Sequence, residues 1–278
     1  MNIVNTIPEL RKSRKALTGT VGLVPTMGFL HDGHLSLVRA AKQECDRVIA
    51  TIFVNPTQFG PNEDLEAYPR DIPHDLALLE AAGVDLVWMP SPKEMYPEGF
   101  QTWVEVEEVT QPLEGAMRPG HFRGVSTVVA KLFNSVLPDK AYFGQKDAQQ
   151  VAVIKQMAAD LNFPLEIVVV PIAREEDGLA RSSRNVYLDA AQRKAAPVLY
   201  RALQSAKTAY HGGQRSGEAL RQIMADTIKA EPLAEMQYVS CAHPGTLLEL
   251  DQVGPQGALL SMAVYIGKTR LIDNEVLP

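Results

Sequence analysis

The sequence has few cysteines, no long apolar run and no excess of basic residues. Its two cysteines, Cys45 and Cys241, each lie in an apolar periodic segment, which favours buried free thiols over a disulfide or a metal role. The longest nearly apolar run, residues 257–267, is far shorter than the ~20 residues of a membrane-spanning helix. No basic start followed by an apolar core marks a signal peptide, and the net charge of −6 argues against a general nucleic-acid binder. These absences predict a cytoplasmic protein that binds neither membranes nor nucleic acids.

Three familiar site signatures are also missing. The chain has no HExxH motif and no cluster of Cys and His at metal-binding spacing. It has no GxGxxG motif, so a dinucleotide-binding site of the usual kind is not indicated. Gly267-Lys268-Thr269 resembles the end of a P-loop, but Met262 stands where that loop needs a glycine, and the segment has the pattern of a strand.

The first part of the chain alternates strand-like and helix-like patterns. Residues 47–54 have the β-branched, apolar composition of a strand that is buried on both faces. Residues 124–137 carry an apolar stripe at helical spacing, and residues 102–109 alternate in a way that indicates a half-exposed strand. This alternation over residues 1–172 predicts an α/β fold with a Rossmann-like, doubly wound parallel sheet.

The pattern changes near residue 173. A polar stretch leads to helical patterns over residues 189–211 and 216–230, and three strand-like runs follow. A length of 278 residues fits two domains at roughly 150 residues each. We therefore predict a Rossmann-like ligand-binding domain at residues 1–175 and a smaller C-terminal α+β domain at residues 176–278 that closes over the site.

The stretch from Pro25 to His34 concentrates the groups that suggest chemistry. Its context predicts a strand, a tight turn and the start of a helix. Gly28 and Gly33 leave room for close approach of a ligand to the backbone, and a helix N-terminus suits a phosphate. His31 and His34 can donate hydrogen bonds to phosphate oxygens, or they merely cap a surface helix. We favour a nucleotide triphosphate site.

Other segments supply groups for the same edge of the sheet, because ligands bind where parallel strands end. Lys146 follows a short strand and carries a charge that suits a phosphate; Asp147 either caps the next helix or binds a ribose. The polar stretch from Arg181 to Asn185 holds two guanidinium groups and two hydroxyls, and is either a closing loop or a solvated linker. Gln58 and Gln150 are amides suited to orienting a hydroxyl or a carboxylate, although each taken singly is more typical of a surface glutamine.

Six ordered blocks make the chain resemble the pantoate–β-alanine ligase (pantothenate synthetase) family nearly from end to end. The first block is shared with the wider HxGH nucleotidyltransferase superfamily, so the specificity comes from the complete set. The blocks are PTMGxLHxGH (25–34), FVNPTQF (53–59), DLxxYPR (64–70), RPGHFRGVSTVV (118–129), FGxKDxQQ (143–150) and DGLAxSSRNxYL (177–188).

The resemblance implies an ATP-dependent ligation in two steps. The carboxylate of pantoate attacks the α-phosphorus of ATP, which gives pantoyl adenylate and pyrophosphate. The amine of β-alanine then displaces AMP to give pantothenate. The family also implies that Mg²⁺ arrives with ATP without dedicated protein ligands, and that the enzyme is a homodimer.

The same resemblance implies the roles of individual residues. The catalytic groups are His31, His34, Lys146 and Arg184, with His34 the expected proton donor. Pantoate and β-alanine are expected to contact Gln58, Gln150, Asn55 and Tyr68. The residues expected around ATP are Met27, Gly28, Phe29, Leu30, His31, Asp32, Gly33, His34, Gly144, Gln145, Lys146, Asp147, Ala173, Arg181, Ser182, Ser183 and Arg184.

Four positions depart from the family pattern without removing a charged or hydrogen-bonding catalytic group. Gln145 stands in place of the usual Glu, Ala173 in place of a common Val, and Phe29 is bulkier than usual. Arg181 replaces the usual Met and adds a cation beside the expected triphosphate loop. It is expected either to tighten ATP binding or to point to solvent.

Two other functions stay open on the residues alone. A different HxGH nucleotidyltransferase would stop after transferring a nucleotidyl group to a phosphorylated acceptor; the paired amides Gln58 and Gln150 and the full second domain argue against it. A regulatory nucleotide-binding module without turnover would have no need of His34, Lys146 and Arg184 together.

Overall fold

The first part of the chain forms a six-stranded parallel sheet in the computed structural model, which describes residues 1–61, 63 and 65–278. The strands are β1 (Asn2–Val4), β2 (Val21–Thr26), β3 (Arg47–Ile52), β4 (Leu86–Trp88), β5 (Lys140–Gly144) and β6 (Glu166–Val170), and they lie in the order β1-β4-β3-β2-β5-β6. The chain moves outward from β2 through β3 to β4 and then returns to place β5 on the other side of β2. The carboxyl ends of β2 and β5 therefore form the topological switch point, where open α/β sheets bind ligands.

Helices cover both faces of this sheet, as the predicted doubly wound fold requires. They are α1 (Ile7–Ala16), α2 (Asp32–Glu44), α3 (Ile72–Ala81), α4 (Pro92–Met95), α5 (Glu114–Met117), α6 (His121–Val136) and α7 (Ala148–Asp160). Successive residues of β2 serve opposite layers: Leu23 packs with α1, α6 and α7, whereas Val24 packs with α2 and α3. Because both faces are buried there, the central strands β2, β3 and β4 have nearly continuous apolar sequences. The predicted fold class is confirmed.

The expected strand over residues 102–109 is wrong. These residues belong to no strand; the backbone N–H of Val104 donates a hydrogen bond to the side-chain oxygen of Thr127 on α6, at 3.0 Å. Val106 and Val109 are buried in the core, and Trp103 lies under the guanidinium group of Arg123. The alternation of the sequence therefore records which side chains face α6, not pairing with another strand.

The C-terminal part builds a second core on a three-stranded antiparallel sheet. The helices α8 (Ala190–Ala195), α9 (Val198–His211) and α10 (Gly217–Lys229) precede strands β7 (Ala234–Ala242), β8 (Ala258–Ile266) and β9 (Thr269–Leu277), in sheet order β7-β8-β9. The single helix expected over residues 189–211 is wrong, because Pro197 lacks an N–H and its ring crowds the preceding turn, which separates α8 from α9. The glycine pair at 212–213 separates α9 from α10 as predicted.

The segment between the two sheets carries little regular structure. Arg174 and Ala180 form an isolated antiparallel bridge, and residues Ser183–Tyr187 form a 3₁₀ turn. The boundary predicted between residues 175 and 176 falls inside the bridged segment and stays a prediction. Cys45 and Cys241 are buried free thiols, as expected. Within the described ranges, no helix is both long and apolar enough to cross a membrane. Asp64, the first residue of the DLxxYPR block, lies outside the described residues.

Candidate active site

The turn after β2 is held by a buried carboxylate from α3. The backbone N–H groups of Phe29 and Leu30 donate to the two carboxylate oxygens of Asp75, at 2.8 and 2.7 Å. Asp75 is fully buried, and the turn passes through positive φ at Gly28 (83°) and Phe29 (50°). Sequence reasoning missed Asp75. The available signal was its position four residues before Leu79, also fully buried, which places it on the inward face of α3.

The two histidines cap the helix that follows this turn. His31 is the N-cap of α2, and its Nδ1 accepts a hydrogen bond from the N–H of Gly33 at 3.1 Å. The Nδ1 of His34 accepts in turn from the N–H of His31 at 3.3 Å, and the ring centroids lie 4.1 Å apart. A Cβ at Gly33 would lie 2.8 Å from the Cε1 atom of His31, so only glycine fits there without displacing the ring. The capping role and the site therefore share the same two rings.

Both rings are held in the neutral form. Burial lowers the pKa of His31 to about 4, with Lys146 and Arg181 adding to the shift. Burial also lowers the pKa of His34 to about 3, helped by His31 and Lys146. Because each Nδ1 accepts a hydrogen bond, each neutral ring carries its proton on Nε2. The pair thus offers two N–H donors without positive charge.

Lys146 comes from the adjacent strand end, on the 3₁₀ turn Gln145–Asp147 between β5 and α7. Its Nζ atom lies 3.8 Å from a carboxylate oxygen of Asp147. Asp147 occupies the N-cap position of α7, as predicted, but its side chain makes no hydrogen bond to the start of that helix. Gln145 donates through Nε2 to Asn274 on β9 at 3.1 Å, so this departure from the family pattern faces the small sheet. A Cβ at Gly144 would meet no heavy atom within 4 Å.

The amide of Gln58 is oriented by a buried neighbour. Asn55, only 1% exposed, donates to the side-chain oxygen of Gln58 at 3.1 Å and to the carbonyl of Gly124 at 3.2 Å. Its own side-chain oxygen accepts from Thr57 and Tyr96. The side chain of Asn55 is thus engaged inside the protein. Its contacts are those of a group that orients Gln58.

A charged network that sequence reasoning missed fixes the backbone of the same segment. Arg118 binds both carboxylate oxygens of Glu63, at 2.6 and 2.7 Å. His121 donates from Nδ1 to the carbonyl of Gln58 at 2.8 Å, and its Nε2 accepts from Arg118 at 3.1 Å. Burial lowers the pKa of His121 to about 4. The only sequence signal was the RPGH block, whose polar side chains no element pattern required.

The loop after the bridged segment closes over the histidine turn. Ser183 is buried and its hydroxyl donates to the carbonyl of Phe29 at 3.3 Å. The hydroxyl of Ser182 accepts from the N–H of Arg184 at 3.3 Å. Arg181 pairs with Asp32 at 3.3 Å and with Glu175 at 3.4 Å. The guanidinium group of Arg181 is therefore held by two carboxylates of the protein itself.

A cavity of about 240 Å³ gathers most of the predicted site residues. It adjoins an interdomain cleft of about 960 Å³, with which it shares seven lining residues, among them Arg118 and His121. Among the predicted residues, Gly28, Phe29, Leu30, Asp32 and Gln145 do not line the smaller cavity. Those that line it are Met27, His31, Gly33, His34, Asn55, Gln58, Tyr68, Gly144, Lys146, Asp147, Gln150, Ala173, Arg181, Ser182, Ser183 and Arg184.

Comparison with known proteins places this arrangement in a family. A family model described as pantoate-beta-alanine ligase matches residues 2–276. The chain belongs to the pantoate–β-alanine ligase family. It is 64% identical over 277 residues to a pantothenate synthetase of Herpetosiphon aurantiacus, with 100% of both chains covered, and 62% identical to one of Chloroflexus aggregans, again with 100% of both covered. The resemblance drawn from the six blocks is confirmed.

Solved structures agree with this family membership. A pantothenate synthetase from Thermus thermophilus superposes with a TM-score of 0.94 at 51% identity, over 99% of each chain. A pantoate-beta-alanine ligase from Francisella tularensis, complexed with beta-gamma ATP and beta-alanine, superposes with a TM-score of 0.82 at 38% identity, over 99% of this chain and 97% of that one. The protein is thus a ligase of a family that forms pantothenate. In the described ranges, no group of three or more His, Cys, Asp or Glu side chains is arranged to hold a metal ion.

Proposed function

We propose that this ligase condenses pantoate with β-alanine to pantothenate at the expense of ATP, through a pantoyl adenylate, and releases AMP and pyrophosphate. One observation carries the proposal: two neutral imidazoles, an ammonium group and an oriented amide share one cavity at the switch point of the sheet. A carboxylate becomes a good acyl donor only as a mixed anhydride, and the adenylate is such an anhydride. The ATP and β-alanine named for the Francisella relative support these two substrates.

The triphosphate is assigned to the edge formed by α2 and the Lys146 turn. The Nε2–H groups of His31 and His34 donate to phosphate oxygens, and Lys146 neutralises charge that builds on the pyrophosphate as it leaves. His34 thus acts as a hydrogen-bond donor from its neutral ring, which refines its expected part as a proton donor. Arg184, with Ser182 and Ser183, approaches the phosphates from the closing loop.

The remaining nucleotide contacts follow the walls of the cavity. We assign the base and ribose to the segment around Met27, Gly144, Asp147 and Ala173, all of which line it. Gly28, Phe29 and Leu30 shape the turn, and their contacts are made through the backbone. Asp32, Gly33, Gln145 and Arg181 complete the predicted shell; we assign Gln145 and Arg181 a supporting part, because each side chain is already bonded within the protein.

The acid is assigned to the amides at the opposite wall. Gln58 and Gln150 hold the hydroxyl and carboxylate groups of pantoate, with Tyr68 beside them and Asn55 fixing the orientation of Gln58. This arrangement presents a carboxylate oxygen of pantoate to the α-phosphorus of ATP. In the first step the oxygen–phosphorus bond forms as the bond from the α-phosphorus to pyrophosphate breaks. The amine of β-alanine then attacks the acyl carbon, and the bond to AMP breaks. Gln58 lies near both acyl partners.

Three further properties belong to the proposal. Mg²⁺ accompanies the phosphates of ATP and needs no dedicated protein cage. The enzyme works as a homodimer, which sedimentation at several protein concentrations tests. It acts in the cytoplasm on small molecules.

Pantoate-dependent exchange of labelled pyrophosphate into ATP tests the proposal, followed by AMP release on adding β-alanine. Exchange without β-alanine-dependent AMP release indicates a different nucleotidyltransferase, and absence of exchange indicates a binding module without turnover. We expect His34→Ala to suppress exchange by about a hundredfold, in the range seen for loss of one preorganised donor. His74→Ala, an exposed position on α3, is the matched control. Near-normal exchange in a folded His34→Ala variant contradicts the role of His34.

A further inference from the structure

Asn274, four residues before the end of the chain, is bonded to the turn that carries Lys146. Its side-chain nitrogen donates to the carbonyl oxygens of Gln145 and Lys146, both at 2.9 Å. Its side-chain oxygen accepts from Nε2 of Gln145 at 3.1 Å. Three hydrogen bonds from one side chain on β9 thus reach a turn of the other domain. Asn274 is only 2% exposed, so water does not compete for these contacts.

The residues beside Asn274 hold it in place. Arg174, in the segment between the two sheets, binds both carboxylate oxygens of Asp273, at 2.7 and 2.9 Å. The carboxylate of Asp273 also accepts from the backbone N–H of Asn274 at 2.8 Å. The guanidinium group of Arg174 lies over the ring of Tyr200, 4.6 Å from its centroid. A planar, bidentate pair of this kind fixes orientation as well as distance.

The Lys146 turn has little internal support of its own. Asp147, the N-cap residue of α7, makes no side-chain hydrogen bond to that helix, and the turn is a single 3₁₀ turn between β5 and α7. Contact between the domains does not require Asn274, because Glu114 binds Arg270 through two hydrogen bonds elsewhere in the cleft. The bonds of Asn274 instead end on the two peptide carbonyls next to the Lys146 side chain. Their location favours control of that side chain over simple adhesion between domains.

We propose that Asn274 is a positioning residue for Lys146, which it holds in the orientation that meets the phosphates of ATP. This inference rests on the phosphate role that the proposed function gives Lys146. It implies that the small domain takes part in the first chemical step through its last strand, in addition to covering the site. Since a shift of about 1 Å in a positioned group can cost about a hundredfold in rate, we expect Asn274→Ala to lower kcat for pyrophosphate exchange by about tenfold to a hundredfold.

The decisive measurement is the dissociation constant of ATP, by calorimetry, in a double-mutant cycle with Lys146→Ala. If Asn274 acts through Lys146, Asn274→Ala weakens ATP binding in the otherwise unchanged enzyme but has no further effect once Lys146 is Ala. If the double variant weakens ATP binding by the product of the two single-variant factors, the inference is overturned. The KM for pantoate should stay within about twofold in Asn274→Ala, because the Gln58 wall is not involved; a rise that matches the fall in kcat also overturns it.

Two more variants separate positioning from stability. Asn274→Asp keeps the shape and the acceptor for Gln145 but turns a carboxylate oxygen toward two carbonyl oxygens, so it should lose exchange at least as strongly as Asn274→Ala. Glu275→Gln is the matched control: it weakens the pair with Lys207 on the other side of β9 and should leave exchange unchanged. Normal exchange in both Asn274 variants refutes the inference. Failure of the unchanged enzyme to exchange pyrophosphate refutes the proposed function instead, while the ATP-binding cycle still tests Asn274.

Discussion

Replacing Asp75 by Asn should damage the site from a position outside the cavity. The carboxylate of Asp75 accepts the N–H groups of Phe29 and Leu30, and the turn between these bonds and His31 sets where both imidazoles lie. Asparagine has nearly the same shape but only one acceptor oxygen, and its amide nitrogen would face the second N–H. One of the two backbone donors is then left without its acceptor beside the fully buried side chain of residue 75.

The expected magnitudes follow from these contacts. An unsatisfied buried donor costs about 1–3 kcal/mol, and the retained hydrogen bond loses the strength that charge gave it. Removing a buried charge recovers part of this, so we expect the free energy of unfolding to fall by about 2 kcal/mol. Activity should fall further than stability suggests. Displacement of the histidine turn by about 1 Å corresponds to a loss of about a hundredfold in rate.

Urea unfolding and pyrophosphate exchange measure the two effects on the same samples. Asp71→Ala is the control, because Asp71 is the exposed N-cap of the same helix and its side chain accepts from the N–H of His74, away from the histidine turn. It should cost about 1 kcal/mol and leave exchange unchanged. The role given to Asp75 is refuted if Asp75→Asn keeps pyrophosphate exchange within twofold of normal and lowers the free energy of unfolding by less than Asp71→Ala does.

Two further predictions concern the stability of the protein at acidic pH and the effect of the substitution Gly124→Ala. In the folded protein, three histidines have pKa values below the ordinary value of ~6.5. The unfolded chain therefore binds more protons below that pH, and the free energy of unfolding falls as the pH drops from about 6.5 toward 4. We expect urea unfolding to show a loss of about 3 kcal/mol between pH 6.5 and 5.5, whereas a flat profile contradicts the burial of these histidines in the neutral form. They are His31, His34 and His121. Gly124→Ala places a Cβ 2.4 Å from the carbonyl oxygen of Thr57, and should raise the KM for pantoate severalfold by pushing the Gln58 segment. Gly144→Ala, which meets no heavy atom within 4 Å, should fold normally; an unchanged KM in Gly124→Ala contradicts the close approach.

The parts of the site that sequence reasoning found are those with local signals. The turn before α2 has glycines, a preceding apolar strand and a following amphipathic helix, all within about twenty residues. Lys146 could be brought to it because parallel strands end at one edge of their sheet. The two-layer alternation of β2, β3 and β5 follows from their apolar runs. Periodicity therefore sufficed for the central strands of the main sheet, whereas the short edge strand β1 has too few residues to show a pattern.

The residues that it missed act over long distances in the chain. Asp75 meets a turn more than forty residues away, and Asn274 meets one more than a hundred residues away. A helical pattern can place such a polar residue on an inward face, as for Asp75, but it does not show which distant segment the residue contacts. The segment 102–109 failed for a related reason, since alternation tells which side chains face inward but not whether a strand lies alongside. The break between α8 and α9 could have been predicted from Pro197, because its missing N–H is a local property of the sequence.

During synthesis, strand β2 is complete long before strand β5, which pairs with its second edge. It ends at Thr26, and β5, which pairs with its other edge, begins at Lys140. More than a hundred residues therefore leave the ribosome before the central edge of the sheet is covered, and during that time β2 offers unpaired N–H and C=O groups to other chains. Until β5 docks, the two histidines have no lysine opposite them. Nascent chains halted before this point would be prone to association and unable to form the cavity.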